Sequence, residues 1–144
     1  MSIPLPLLLS MAFRLFTDRL HARLADEGHA EIRPAHGYAI SRLVTTGGET
    51  AVELAGYLGV TKQGAAHIIR ELETWGYAER ARHPTDGRAQ LIVATARGRA
   101  LVARVAEIWA EEESHMPELD TVRTALRSYV DENGDGRTPM RPVW

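Results

Sequence analysis

The chain has 144 residues, of which 44% are hydrophobic and 25% are charged, and it contains no cysteine. These fractions fit one ordinary globular domain, and the lack of cysteine excludes disulfides, thiolate nucleophiles and cysteine-ligated zinc. The formal net charge of -2 argues against nucleic-acid binding, but it is a sum over the whole chain and does not describe any one surface. Residues 61–100 carry 7 basic against 4 acidic side chains, whereas residues 101–136 carry 3 against 9. The basic middle is therefore a candidate surface for a polyanion.

Residues 1–30 are predicted to form an amphipathic packing helix. Two prolines interrupt its apolar start and no basic residue precedes Arg14, so the segment is not predicted to be a signal peptide. No apolar run approaches the roughly 20 residues of a membrane span, and the expected compartment is the cytoplasm. The apolar positions that recur every fourth residue are Leu8, Ala12, Phe16, Leu20 and Leu24.

A pair of capped helices is predicted next. Thr50 and Glu53 have the spacing of a capping box, in which each side chain satisfies a free backbone amide at a helix start. Gly59 suits the left-handed end of that helix. Thr61 then supplies a cap for a second helix. This spacing is typical of a helix-turn-helix.

The second helix has two unlike faces. One face is apolar and the other is polar and basic, as in a helix that packs on a core and meets a ligand. An ordinary solvated amphipathic helix has the same pattern, so the pattern alone does not establish DNA binding. The apolar positions are Ala65, Ile68, Ile69 and Leu72, and the polar ones are Lys62, Gln63, His67 and Arg70.

A hairpin is predicted after this helix, with strands over residues 77–83 and 89–94. The residues between them, 84–87, include the Pro, Asp and Gly that turns favour. Alternation predicts that Leu91 and Val93 face inward. A hairpin after a recognition-type helix is a wing, and Arg80, Arg82 and Arg88 lie on it.

Two further helices are predicted over residues 99–133, and a mobile tail over residues 134–144. Thr95 is expected to cap the first helix and Pro117 to lie in the first turn of the second. Their apolar stripes would stay partly exposed in a single chain, which predicts pairing with a second copy. The stripes comprise Leu101, Val105, Ile108 and Trp109, then Leu119, Val122, Leu126 and Tyr129. Residues 31–98 would form the DNA-binding domain, and the fold class is mainly α with a small β-hairpin wing.

These residues resemble the MarR (multiple antibiotic resistance regulator) family of bacterial winged-helix transcription factors over about residues 5–133. The wing follows the family's D-x-R pattern at Asp86 and Arg88 and its T-x-x-G pattern at Thr95 and Gly98, with Ala94 where leucine is usual. The helix-turn-helix positions that match are Leu54, Ala55, Leu58, Val60, Thr61, Leu72, Gly76, Tyr77, Glu79 and Arg80.

The resemblance implies a homodimer, and two recognition helices about 34 Å apart on a pseudo-palindromic double-stranded DNA site. It also implies that Arg88 enters the minor groove, held by Asp86. The expected function is a transcriptional regulator, with repression and release by an effector as the family pattern, and neither an enzyme nor a cofactor is expected. The expected DNA-contacting residues are Thr61, Lys62, Gln63, His67, Arg70, Arg80, Arg82, Asp86 and Arg88.

A small aromatic or anionic effector is expected in the family cleft between the dimer helices and the DNA-binding lobe. Two alternatives remain open: a winged-helix protein-interaction module without specific DNA binding, and a zinc-responsive regulator of the same fold. The histidines that raise the zinc alternative are His21, His29, His36, His67, His83 and His115. The candidate effector residues are Arg14, Phe16, His36, Tyr38, Arg42 and Trp109.

A calcium-loop pattern starts at Asp131, but its twelfth position is Pro142 instead of glutamate. Calcium binding is therefore not predicted.

Overall fold

The computed structural model describes residues 1–134, and six helices and one two-stranded hairpin lie within them. The predicted tail after Gly134 and the last eight positions of the calcium-loop pattern lie outside the described residues. The predicted fold class, mainly α with a β-hairpin, is confirmed. The elements are α1 (Leu5–Asp26), α2 (Pro34–Thr46), α3 (Ala51–Leu58), α4 (Lys62–Thr74), β1 (Ala78–Arg82), β2 (Gln90–Ala94), α5 (Ala96–Glu113) and α6 (Leu119–Asn133).

Local capping defines α3 and α4 much as the sequence predicts. The Thr50 hydroxyl oxygen accepts the Glu53 N–H at 3.2 Å, and the Thr61 hydroxyl oxygen accepts the Gly64 N–H at 3.0 Å. Gly59 ends α3 at φ 67°, in the left-handed region. The Glu53 carboxylate accepts a hydrogen bond from the Thr50 hydroxyl at 3.1 Å. It does not bind the Thr50 backbone amide, so the capping box is only half formed.

The wing has the opposite inward face from the predicted one. Ile92 and Ala94 are buried, with 1% and 9% of their surfaces exposed, whereas Leu91 and Val93 are half-buried. Four consecutive residues of β2 are apolar, so alternation alone does not select a face. Tertiary packing selects it: Ala78, which opposes Ala94 across the ladder, is buried in the same core as Ile92 and Ala94, whereas Arg80, opposite Ile92, is exposed.

A single residue ahead of α3 adds a third backbone partner to the wing. Glu49 and Ile92 exchange backbone hydrogen bonds of 3.0 and 2.7 Å, which forms an isolated antiparallel bridge. Neither periodicity nor turn chemistry predicts a one-residue bridge. It ties the end of the α2–α3 connection to β2 and limits movement of the wing relative to the helix-turn-helix.

One apolar core joins α1 to α5 and the wing. The apolar face predicted for α4 is confirmed, since Ala65, Ile68, Ile69 and Leu72 are all buried. The side chains buried most completely are Tyr77, Leu24, Ile32, Ile40, Leu43, Leu54, Leu58, Ile69, Leu72, Ile92, Leu101 and Ile108.

The two ends of the described chain are less well covered. In α1, the period-four stripe is buried at Leu20 and Leu24, but Leu8 is 45% exposed. No residue of α6 is buried. The helix begins after Glu118, which has φ 54°, so the expectation that Pro117 lies in its first turn is wrong. No helix among residues 1–134 is both long enough and apolar enough to cross a membrane.

The start of α5 approaches the start of β1 very closely. The Thr95 hydroxyl donates to the Gly76 carbonyl at 2.6 Å, and the Thr95 N–H donates to the Tyr77 carbonyl at 3.0 Å. Thr95 also caps α5 as predicted, by accepting the Gly98 N–H at 3.2 Å. A Cβ on Gly98 would lie 2.2 Å from the Tyr77 carbonyl oxygen. Only glycine fits there without a backbone shift.

We expect Gly98→Ala to lower the free energy of unfolding by about 2 kcal/mol or more, because a backbone atom, unlike a flexible side chain, cannot move aside cheaply. Gly56→Ala is the matched control, since a Cβ on that helical glycine meets nothing within 4 Å. The control is expected to be neutral or stabilising by up to about 1 kcal/mol. Urea unfolding followed by circular dichroism at one protein concentration measures both. Equal midpoints for the two variants would contradict the close approach.

Candidate nucleic-acid interface

The polar face predicted for α4 is exposed on the side opposite its buried apolar face. Burial of the apolar face fixes the rotation of the helix about its axis and turns the polar residues outward. Thr61 also caps the helix, so its hydroxyl oxygen is already partly engaged. The exposed residues at the start and along this face are Thr61, Lys62, Gln63, His67 and Arg70.

The wing arginines differ in how they are held. Arg80 bonds the Glu73 carboxylate at 3.0 Å and the Gln90 side-chain oxygen at 2.7 Å. It therefore links the wing to α4. The guanidinium groups of Arg82 and Arg88 are exposed and form no ion pair with any residue between 1 and 134.

The wing loop is organised by side-chain to backbone hydrogen bonds. The Nδ1 atom of His83 accepts the backbone N–H groups of Thr85 and Asp86, at 3.2 and 3.0 Å. Asp86 in turn accepts the backbone N–H of Arg88 at 3.0 Å. The described residues show no ion pair between Asp86 and the Arg88 guanidinium, in contrast to the expected arrangement. Asp86 shapes the loop through the Arg88 main chain and leaves the guanidinium free.

Arg42 lies outside the expected effector cleft and contacts the base of the wing instead. Its Nε donates to the buried Glu49 carboxylate at 2.8 Å, and its guanidinium lies 4.7 Å from the centre of the Tyr57 ring. The second Glu49 carboxylate oxygen is buried without a hydrogen-bond partner. This contact joins α2, α3 and the Glu49–Ile92 bridge. Glu49 was not predicted as a site residue, because a single acidic residue before a capped helix carries no signal of burial.

His36 also has a role other than lining the cleft. It is 5% exposed, its Nδ1 accepts the Arg33 N–H at 2.9 Å, and its Nε2 lies 3.3 Å from Glu71. Its ring packs edge-on against Trp75, 4.9 Å between centres. Burial lowers the pKa of His36 below its ordinary value, while the nearby Glu71 partly opposes that change. His36 thus caps α2 and contacts α4.

An apolar cavity of about 200 Å³ lies between α1, α2 and α5. Two candidate effector residues, Tyr38 and Trp109, line it, and Phe16 packs edge-on against Trp109 at 6.1 Å. Arg14 lines a neighbouring groove of about 410 Å³ together with Arg33. The structure therefore places Tyr38 and Trp109 at an apolar cavity and Arg14 at a more polar groove, and His36 and Arg42 line neither.

His21 lines both the cavity and the groove. Both of its ring nitrogens are buried without a hydrogen-bond partner. Its pKa is lowered, chiefly by burial and then by the charge of Arg33. No group of three His, Asp or Glu side chains able to hold a metal ion occurs in residues 1–134 of this single chain.

The capped helix pair, the exposed basic face of α4 and the hairpin with free arginines define a winged helix-turn-helix protein. Residues 30–89 match the model of the MarR family. This match confirms the resemblance drawn from the sequence. No curated protein sequence matches the chain.

Solved structures show the same fold over most of the chain. The wild-type apo form of MarR from E. coli has a TM-score of 0.73 at 22% identity, with 90% of this chain and 98% of that chain covered. A variant of that protein complexed with operator DNA has a TM-score of 0.70 at 22% identity, covering 89% and 94%. RV1404 from Mycobacterium tuberculosis has a TM-score of 0.69 at 22% identity, covering 92% and 97%.

Acid is expected to destabilise the protein through one buried and two half-buried histidines. Burial is the largest cause that lowers the pKa of His21, His29 and His36 below 6.5. Below pH 6.5 the unfolded chain therefore binds more protons than the native chain at these histidines. The free energy of unfolding falls as the pH falls. Well above pH 6.5 these groups are neutral in both states and contribute no slope.

Urea unfolding between pH 6.5 and about pH 5 measures this loss. His36→Gln should give a flatter dependence than the parent chain, whereas substitution of the exposed His115 by glutamine should not. An identical slope for the parent and His36→Gln would rule out the assigned role of His36.

Proposed function

We propose that this protein is a cytoplasmic, dimeric transcriptional regulator that binds a pseudo-palindromic DNA operator. The observation that carries the proposal is the joint exposure of the α4 polar face and the wing. Lys62, Arg70, Arg82 and Arg88 provide exposed cations on this surface, which suits phosphates and the guanine acceptors of the major groove. The structure of an E. coli MarR variant with operator DNA, which has the same fold, supports DNA binding by this surface.

The uncovered apolar surface of α1 and α6 supports a dimer. Isolated soluble chains rarely keep such continuous apolar patches, and a second copy placed on a two-fold axis would cover both. The same axis would present two α4 helices to successive major grooves about 34 Å apart. The exposed large apolar side chains of these helices are Leu5, Leu7, Leu8, Leu9, Met11, Leu15, Tyr129 and Val130.

The first experiment measures binding of the purified protein to DNA upstream of its own gene at a series of salt concentrations. Specific binding supports the regulator if the logarithm of the binding constant falls linearly with the logarithm of the salt concentration. This dependence is expected because cations on the protein release counterions from DNA. Absence of binding at low salt supports the protein-interaction alternative. Reporter expression with and without the protein then distinguishes a repressor, which we propose, from an activator.

Arg88→Ala should raise the Kd for the operator about 10-fold or more and reduce the salt slope by about one unit, because one cation leaves the interface. Arg19→Ala is the matched control. It removes the same charge from α1, where Arg19 is 59% exposed and lies 3.5 Å from Glu112. Sedimentation should show an unchanged dimer for both variants. Loss of the dimer in Arg88→Ala would contradict the assignment of the wing to DNA binding.

We further propose that a small effector binds the α1–α2–α5 cavity and releases DNA. A cavity of about 150 Å³ is known to accept benzene, so this cavity accommodates a monocyclic aromatic body. The unpartnered nitrogens of His21 offer a hydrogen bond, and Arg14 and Arg33 in the adjoining groove suit an anionic substituent. A ligand that favours a different spacing of the two α4 helices lowers DNA affinity by population shift.

Gly37→Leu tests the effector site. Gly37 lines the cavity, and a Cβ there meets nothing within 4 Å, so the first atom of a larger side chain enters open space and the rest takes up ligand volume. A panel of phenols and aromatic carboxylates should raise the Tm of the parent chain and weaken its operator binding. Gly37→Leu should lose both responses. Gly56→Leu, on α3 outside the cavity, should keep them, and equal responses from the two variants would exclude this cavity.

A further inference from the structure

The loop at the tip of the wing carries Arg88, and the hairpin ladder does not hold this loop. The last ladder pair joins Arg82 to Gln90, so residues 83–89 form the connection between the strands. A connection without ladder hydrogen bonds has many accessible conformations unless other contacts order it. The position of Arg88 therefore depends on the bonds that the loop forms within itself.

One histidine side chain orders the first half of the loop. The Nδ1 atom of His83, which is half-buried, accepts the backbone N–H groups of Thr85 and Asp86 at 3.2 and 3.0 Å. The Thr85 hydroxyl lies 3.4 Å from the same nitrogen. Asn and Asp stabilise turns and helix starts in this way, by accepting backbone amides two or three residues further along the chain. Here an imidazole nitrogen provides the acceptor.

The two amide bonds determine the protonation of the His83 ring. Both N–H groups point at Nδ1, so this atom carries no proton, and in the neutral ring Nε2 then carries it. The imidazolium form has a proton on both nitrogens and offers no acceptor. A ring turned over about its Cβ–Cγ bond would present a carbon atom to the same amides. The ordered loop therefore requires the neutral ring with Nδ1 bare.

Further hydrogen bonds continue from Asp86 to the base of Arg88. The Asp86 carboxylate accepts the Arg88 N–H at 3.0 Å, and the Asp86 carbonyl accepts the Ala89 N–H at 3.2 Å. Asp86 is thus bonded to His83 through its own N–H and to the second half of the loop through its oxygens. The Arg88 backbone is held at the end of this series, while the Arg88 side chain is exposed.

We propose that His83 is a positioning residue for Arg88, which orders the wing loop through Nδ1 and presents the Arg88 guanidinium to DNA without contacting DNA itself. This inference rests on the DNA binding proposed above. A group that is already held in its bound position loses less conformational entropy on binding, so its contact contributes more to affinity. Loss of the His83 acceptor should therefore remove most of the contribution of Arg88, although Arg88 is still present.

Two substitutions of His83 separate its ring nitrogens. His83→Asn keeps an acceptor near the Nδ1 position, because the amide oxygen is attached to Cγ, as Nδ1 is in histidine. His83→Gln carries its amide one bond further out, near the Nε2 position. The Kd for the operator is measured at about pH 7.5, where an ordinary imidazole is neutral.

His83→Gln should raise this Kd about 10-fold, as Arg88→Ala does. His83→Asn should stay within about 2-fold of the parent chain, the range of a neutral surface substitution. The reverse order, with His83→Gln binding better than His83→Asn, would mean that Nε2 contacts DNA and would overturn the proposal. Equal losses from both variants would overturn it too, because an acceptor at the Nδ1 position would then not suffice.

A double variant tests whether His83 acts through Arg88. His83→Gln combined with Arg88→Ala should bind no more weakly than Arg88→Ala alone, because two residues that act through one contact give losses that do not add. Additive losses would contradict the positioning role. His115→Gln is the matched control, since His115 is an exposed histidine between α5 and α6. It should leave the Kd unchanged and should add nothing to Arg88→Ala.

Long-range ¹⁵N–¹H NMR spectra of the free protein provide a readout that requires no DNA. They should show His83 protonated at Nε2 and bare at Nδ1. Amide hydrogen exchange at Thr85 and Asp86 should be faster in His83→Gln than in the parent chain, because these amides lose their acceptor. His83→Asn should restore the slower exchange. A proton on Nδ1 in the parent chain, or equal exchange in all three proteins, would overturn the inference.

Failure of this inference and failure of the proposed function give different results. A parent chain that binds its operator while His83→Gln binds equally well would overturn the role of His83 alone. A parent chain that binds no operator would overturn the proposed function and the positioning role together, whatever tautomer NMR shows.

Discussion

The architecture depends on the close approach of the first turn of α5 to the carbonyl group of Tyr77. At this point α4 ends, β1 begins, β2 ends and α5 starts. Thr95 bonds Gly76 and Tyr77, and Gly98 removes the side chain that would separate the helix from the strand. Arg97 adds a hydrogen bond to the Trp75 carbonyl and lies over the Tyr77 ring. These contacts fix the recognition helix, the wing and the long α5 helix relative to one another.

Helix α2 connects the proposed effector cavity to the DNA-binding surface through two polar contacts. One face of α2 lines the cavity at Tyr38. Elsewhere on α2, His36 bonds Glu71 of α4 and Arg42 bonds the buried Glu49 beside the wing. A shift of α2 must move or break these contacts, because a buried polar group that loses its partner costs about 1–3 kcal/mol. That range is comparable to the few kcal/mol of differential binding that population shift requires.

Local rules predicted most of the fold, and tertiary contacts decided the rest. The Thr50, Thr61 and Thr95 caps and the buried face of α4 follow from residue type and spacing. The inward face of β2 does not follow from them, because an uninterrupted apolar run is compatible with either face. Tertiary contacts, such as the pairing of Ile92 with Glu49, decide which face is buried. The positions of Arg42 and His36 were also missed. Both appear in the sequence as isolated polar residues, and only their long-range partners, Glu49 and Glu71, show that they support the site without lining the cavity.

Charge on α4 shows the same dependence on partners. Two acidic residues on a recognition helix would ordinarily repel DNA phosphates and weaken the proposed function. Here both have partners within the protein: Glu71 forms a hydrogen bond with His36 and lies 3.0 Å from Nε2 of His67, and Glu73 binds Arg80 of the wing. The cations at Lys62, Arg70, Arg82 and Arg88 face solvent without an ion-pair partner in residues 1–134. Glu73 and Arg80 neutralise each other, so the positive charge of this surface comes from the four cations that have no ion-pair partner in the described part of the chain.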